Sequence, residues 1–392
     1  MLSYRKLAMR VLGRPLHTGG ISSPRPASQR AAAFVLTAAL LTGAAFPAFA
    51  DTYFIEDGDI VISAGTEAGT NKVEQGGTLK SANDMGTIIT NREEGASSNT
   101  VTINAGNDKV EVTLKDVNIE ATGDKAAVSV TGSGNTTIKL DGDNHLTGGI
   151  SDNGSYGLSG ISSSGSLTIS GGETDSLTAQ GGSGTDGSGG RGIFSKDLTI
   201  SGGTVNANGG DGKNGSGGSG ISSLGSLTIS GGTVNAAGGD GTNSSDGGDG
   251  ITNNRGVTIS SGGTVTAKGG SGEDGSGGRG ISSFGDVTIS SGGTVTATGG
   301  NSTGSDGSGG DGISSTSTTI SGGTVTADGG SGNFSGGNGI RSFDVAISGG
   351  TVNVAGGNGG NGSGSDVGNG IISSDIDLSG SLELTAKAGS PN

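Results

Sequence analysis

Short alternating runs of apolar and polar residues recur along most of the chain. The dipeptide Gly-Ile stands at Gly160-Ile161, Gly192-Ile193, Gly220-Ile221, Gly250-Ile251, Gly280-Ile281, Gly312-Ile313, Gly339-Ile340 and Gly370-Ile371, at steps of 27 to 32 residues. Each Ile leads through a polar corner to an apolar-Thr-apolar triplet, such as Leu227-Thr228-Ile229 or Val257-Thr258-Ile259. A Ser-Gly-Gly or Ser-Ser-Gly-Gly corner follows, then Thr-Val-x-Ala, as in Val205/Ala207, Val234/Ala236, Val265/Ala267, Val295/Ala297 and Val325/Ala327. A Gly/Ser/Asp/Asn loop of variable length closes the unit. Within each run the period is two, the mark of a strand with one buried face. Each repeat therefore predicts three very short strands separated by glycine corners.

One repeat has too few aliphatic residues to bury itself, so the repeats must stack. Stacking puts Ile161 to Ile371 in one internal column, the Leu/Val-x-Ile pairs in a second and the Val-x-Ala pairs in a third. The predicted fold is all-β, a right-handed parallel β-helix (solenoid) with one coil per Gly-rich repeat of about 30 residues. At about 4.8 Å per rung the eight repeats span roughly 38 Å. A disordered glycine linker would not hold three aliphatic columns in phase. Thr318 departs from the pattern at the first aliphatic position of its triplet, and Leu177 stands where Val is usual.

Three segments follow from this reading: 1–50, 51–150 and the regular repeats of 151–392. Residues 51–150 lack the glycine loops but keep the alternation, as in Val110-x-Val112-x-Leu114 and Ile138-x-Leu140. They are expected to form three or four less regular coils on the same axis, behind a cap that includes Tyr53 and Phe54, because a bare coil end exposes unpaired backbone. The run from Val112 to Gly149, VTLKDVNIEATGDKAAVSVTGSGNTTIKLDGDNHLTGG, resembles a group of exported bacterial carbohydrate-binding domain-containing proteins, as do the GI-x-S…LTISGGTV coils after it. That resemblance covers roughly residues 110–380. It implies a parallel β-helix similar in shape to polysaccharide lyases, and a glycan as partner.

Composition changes the picture at the N-terminus. Residues 1–30 carry Arg5, Lys6, Arg10, Arg14, Arg25 and Arg30 and no acid, ahead of an apolar run from Ala31 to Ala45 and small residues at Ala48 and Ala50. This is the build of a secretory signal peptide, with cleavage expected after Ala50. The apolar run is shorter than the roughly 18–20 residues that span a bilayer. Removal leaves 15 basic against 36 acidic residues, a net charge of −21. Such a body repels nucleic acid and anionic membrane, so neither is expected as a partner. The expected location is secreted, cell-surface or periplasmic. No apolar sorting tail or C-terminal barrel pattern follows Leu382–Lys387, so an autotransporter-like passenger would have to be truncated.

Candidate chemistry is sparse. Cys is absent and only two His occur, which excludes thiol chemistry and multi-His metal sites. No dense acidic motif of the kind polysaccharide-cleaving enzymes need occupies strand positions; Glu93-Glu94 and His145 read as surface groups. No catalytic residue is assigned. Seven residues before the anchor Ile stand Asp186, Asn214, Asp274, Asp306 and Asn333, with Ser244 and Gly364 breaking the series. Stacked, their oxygens could hold Ca2+, although Asp and Asn also favour turns on their own account. Two residues before the anchor run Arg191, Ser219, Asp249, Arg279, Asp311, Asn338 and Asn369, read as charges that pair between rungs. Outward Thr264/Thr266, Thr294/Thr296 and Thr324/Thr326 form a hydroxyl ladder, and Phe284 and Phe343 share a corner position three after the anchor. These Thr and Phe residues are the candidate glycan contacts. The expectation is non-catalytic binding of a polysaccharide or cell-surface glycan, with calcium bridging acidic glycans. A structural adhesin, a polysaccharide lyase-like enzyme and ice binding through the Thr ladders are the alternatives.

Overall fold

The computed structural model describes residues 50–391 except 244, 291 and 361–365. The expected export segment, and Ser244 and Gly364 of the loop series, therefore lie outside the described residues.

The described chain is a β-solenoid of stacked parallel coils. Each coil has three flanks. In the coil of Ile161 these are Ile161–Ser163, Ser166–Ser170 and Ser176–Gln180, and every flank pairs in parallel with the same flank of the next coil. In later coils the strand pairing runs on through the corners, so that Ile313–Asp328 and Ile340–Ala355 each cover all three flanks. The anchor column is in register from Ile161 through Ile193, Ile221, Ile251, Ile281, Ile313 and Ile340 to Ile371. It also continues backwards through Val128, Val101 and Ile60, where Val or a Gly-less Ile takes the anchor's place. All of these but Ile371 are fully buried.

Parallel in-register stacking places like on like, so every column has one residue per coil. The second flank stacks Leu167, Leu198, Leu227, Val257 and Val287 beside Ile169, Ile200, Ile229, Ile259 and Ile289. The third stacks Val205 to Val352 beside Ala207 to Ala327. The turn between those flanks needs a left-handed residue, and Gly203, Gly232, Gly262 and Gly292 supply φ of 76, 74, 86 and 85°. Polar intruders in the columns are bonded in most cases. Thr318 exchanges hydrogen bonds with Ser315 and Ser342 at 2.7 Å. Buried Asn144 accepts from the Val117 amide and donates to the Gly142 and Ser176 carbonyls. Thr136, between Val110 and Leu167, has no partner for its hydroxyl.

The glycine loops are ordered walls. Each loop leaves the third flank through one Gly pair and returns to the first through another, and the two limbs interleave along the axis. Gly218 donates to Gly210, Gly239 to Gly218, Gly248 to Gly239, Gly270 to Gly248 and Gly278 to Gly270, at 2.8 to 2.9 Å, and the chain of bonds continues to Gly389. A Cβ at Gly278 would lie far inside contact distance of the Gly248 carbonyl oxygen, and Gly248 and Gly310 are placed alike. Glycine is used here for close backbone approach rather than for flexibility.

At the start of the stack, Ile60–Ala64 is covered on its outer edge by an antiparallel hairpin, Asn71–Gln75 and Thr78–Asp84. Thr52–Phe54 covers the second flank, with Tyr53 buried and Arg92 stacked over Phe54 at 4.3 Å. In the last coil Ile372, Ile376 and Leu378 are exposed.

Candidate functional site

The Thr ladder forms in register. Thr204, Thr233, Thr264, Thr294, Thr324 and Thr351 are aligned on the third flank, and Asn206, Asn235, Thr266, Thr296, Thr326 and Asn353 form a second column beside them. Asn235 donates to Asn206 at 2.8 Å, so this end of the ladder is already partnered within itself. His145 is an exposed outward residue of strand Asp143–Thr147, whose Asn144 and Leu146 are buried.

The loop series comes together only in part. Asn214 donates to Asp186 at 2.8 Å, and Asn243 donates to Asn214 at 2.6 Å. Asp274 lies against Gly304 of the next coil, and Asn333 donates to the Thr303 carbonyl at 2.9 Å. Asp306 is exposed in its own loop. Loop length differs between repeats, so counting back from the anchor gives rung neighbours for Asp186 and Asn214 but not along the whole series. Among the described residues no group of three or more His, Cys, Asp or Glu comes together as a metal site.

The first flank shows an arrangement that sequence reading had as two unrelated columns. In the coil of Ile281 the exposed positions are Arg279 at the loop base and Phe284 at the corner, on either side of the buried strand Ile281–Ser283. The charged position and the strand position touch: Arg279 Nη1 donates to Ser282 Oγ at 3.5 Å, and Thr252 Oγ1 donates to Asp249 at 2.9 Å in the preceding coil. The flank is thus a trough. Its floor is small, with Ser222 and Ser282 buried between the walls. One wall is the glycine fin with its basal charges, where a hollow of 550 Å³ runs along the axis from Ser219 to Arg341. The other is the corner column, where Leu224, Phe284 and Phe343 are 48%, 75% and 69% exposed. Arg341 also lines the adjoining hollow around Phe343, which joins the two walls.

The hollow mixes both signs of charge, with Asp246, Asp249 and Asp311 beside Arg279 and Arg341. Asp311 is buried, accepts from the Asn338 amide and side chain at 2.7 and 2.8 Å, and pairs with Arg341 at 3.2 Å and Arg279 at 3.8 Å. One carboxylate so holds two half-exposed guanidiniums in place along the axis. Asp249 accepts from the Arg279 amide at 2.7 Å, and burial pushes its carboxyl above the usual Asp range. Asp311 is saturated with donors and serves as a holder, while the Arg side chains offer planar forks to a carboxylate.

Fold and surface define a parallel β-solenoid with a polar hollow along the base of its glycine loops and exposed rings at the corner of the first flank. No protein-family model, curated protein or solved structure matches this chain.

Proposed function

We propose that the chain is an exported, non-catalytic polysaccharide-binding protein whose binding surface is the first-flank trough. The observation that carries this is the pair of rings: Phe284 and Phe343 are left in water at the corner of the first flank, and Arg341 lines the hollow beside Phe343. Large exposed aromatics beside hydrogen-bonding groups suit the apolar faces and hydroxyl edges of sugars. A trough open at its top and continuous over several coils suits a chain ligand rather than a compact one. The resemblance of the 112–149 run and the following coils to carbohydrate-binding domain-containing proteins supports the same reading. Calcium enters it as a bridge between loop acids such as Asp186, Asp274 and Asp306 and the carboxylates of an acidic glycan.

The test is retention of the mature chain on insoluble and acidic polysaccharides, with calcium and with chelator. Retention that Phe284→Ala/Phe343→Ala abolishes supports the trough. Retention unchanged by chelator removes the calcium bridge alone. No retention on any glycan favours a structural adhesin, and release of unsaturated sugar ends favours a lyase. A second reading, attachment to an ordered solid such as ice, has the aligned Thr columns of the third flank in its favour; thermal hysteresis lost in Thr266→Tyr/Thr296→Tyr would establish it.

A further inference from the structure

The two ends of the stack are finished differently. At the start, the antiparallel hairpin Asn71–Gln75 and Thr78–Asp84 lies over the outer edge of Ile60–Ala64, with Lys80 exposed on it. At the other end, strand Asp375–Lys387 pairs with Ile340–Ala355 along one edge, and among the described residues no strand pairs with its other edge. Ile376 and Leu378 continue the inward columns of Val345 and Ile347, and Leu384 and Ala386 those of Val352 and Val354. The four residues of the preceding coil are buried. Ile376 and Leu378, by contrast, are 46% and 50% exposed, and Leu384 is half-buried. A row of unpaired backbone groups beside apolar side chains is a template for another strand.

We propose that this end face docks on a second copy of itself, giving a closed, two-fold, end-to-end dimer. Turning one solenoid end over to face another reverses the direction of its coil, so the facing strands are antiparallel. A two-fold axis through the corner between the second and third flanks lays the second flank of each copy on the third flank of the other, an isologous contact. That corner is Ser379–Leu382. Residues directly opposite in an antiparallel pair point to the same side. Inward residues therefore meet inward residues only if the axis passes at a residue, which leaves Gly380 or Ser381 at the middle of the corner. About Gly380, Asp377 would face Glu383 of the other copy, and like charges directly opposite repel. About Ser381, Asp375 faces Lys387, Asp377 faces Thr385, Ile376 faces Ala386 and Leu378 faces Leu384. The Ser381 register thus closes both apolar columns and pairs opposite charges twice, once in each half. Lys387 is the only basic residue after Arg341, and it stands where this register needs it. The hairpin closes the other end of the stack, so association stops at two copies instead of running on as a filament.

Sedimentation equilibrium of the mature chain, from low to high micromolar, tests this at about 0.15 M salt, where a screening length of about 8 Å mutes the repulsion of two acidic bodies. The expected result is a monomer–dimer equilibrium with nothing larger. Small-angle X-ray scattering of the dimer should give a rod about twice as long as the monomer. Lys387→Glu should raise the dissociation constant roughly tenfold, because it turns two attractions into two repulsions. Asp375→Lys should weaken the dimer likewise, and Asp375→Lys/Lys387→Glu should restore it. Both positions are exposed, so far-UV circular dichroism of the variants should match the parent. A monomer at every concentration would overturn the proposal, as would a dimer no longer than the monomer, which would place the contact on a flank. An elongated dimer that both single substitutions leave unmoved, or that the double substitution fails to restore, would overturn the Ser381 register. Species larger than a dimer would overturn the closed two-fold contact.

Discussion

Gly278→Ala is the sharpest perturbation of the fold. The new methyl would meet the Gly248 carbonyl oxygen and carbon and come within 2.9 Å of the Gly247 oxygen, all of them backbone of the neighbouring coil. No side chain can move aside, so the coils must part locally. Overpacking of this kind costs about 1–3 kcal/mol. The Gly278 amide bond to Gly270 at 2.9 Å and the bond it receives from Gly300 at 2.7 Å stretch as well, at about 0.5–1.5 kcal/mol each. The total expected loss is about 2–6 kcal/mol. Two controls separate crowding from backbone conformation. Gly262 has φ 86° and open space around its Cβ position, so Gly262→Ala should cost only the roughly 1–2 kcal/mol of a left-handed non-glycine residue. Gly95 has open space and no left-handed φ, so Gly95→Ala should be neutral or gain up to about 1 kcal/mol. Urea unfolding of the mature chain gives the order Gly95→Ala, Gly262→Ala, Gly278→Ala. A Gly278→Ala midpoint equal to that of Gly95→Ala would show that the glycine walls are not close-packed.

Thr136→Val replaces a buried hydroxyl that lacks a partner, and a gain of about 1 kcal/mol is expected; Thr318→Val, whose hydroxyl is bonded twice, should show no such gain in the same denaturation assay. Burial holds the Asp249 carboxyl above its ordinary value, so the folded state binds that proton more tightly than the unfolded chain. The resulting stability is present below the unfolded value of roughly 3.9 and is lost as pH rises through the folded value. Asp249→Asn should therefore be more stable than the parent at neutral pH and level with it in acid, as urea midpoints across pH will show. Phe284→Ala and Phe343→Ala should each shift stability by less than about 0.5 kcal/mol, since both rings are exposed; a clearly larger drop in the urea midpoint would mean that the rings pack the corner instead of serving a ligand.

The three aliphatic columns were legible because period-two alternation and a fixed anchor depend only on local sequence. Thr318 is a polar residue in an apolar column on either view, and the structure adds the hydroxyl triangle that satisfies it. The anchor column's continuation through Val128, Val101 and Ile60 was hidden because Gly-Ile, not the inward apolar position, served as the marker. Register inside the loops was hidden for another reason. The bonds that fix it join glycines at unequal distances from the anchor, and Asn243 stacks on Asn214 although it stands eight residues before its own anchor. The trough fell between two correct observations. The column before the anchor and the column after it were both visible, but only the structure shows Arg341 lining both the hollow at the base of the glycine wall and the one around Phe343.

Columns one residue wide also change how the molecule scales. In a globule, a longer chain buries a growing fraction of its surface, because volume outgrows area. Here each coil adds the same sliver of interior and the same strip of exterior, so burial per residue is independent of length. Stability should then accumulate in equal increments per coil, offset by a fixed cost at the two ends. A deep cavity in one coil is felt by two neighbours and no further. Such a body tolerates gain or loss of whole repeats, whereas a change of half a repeat would set every inward residue of the following flanks against water.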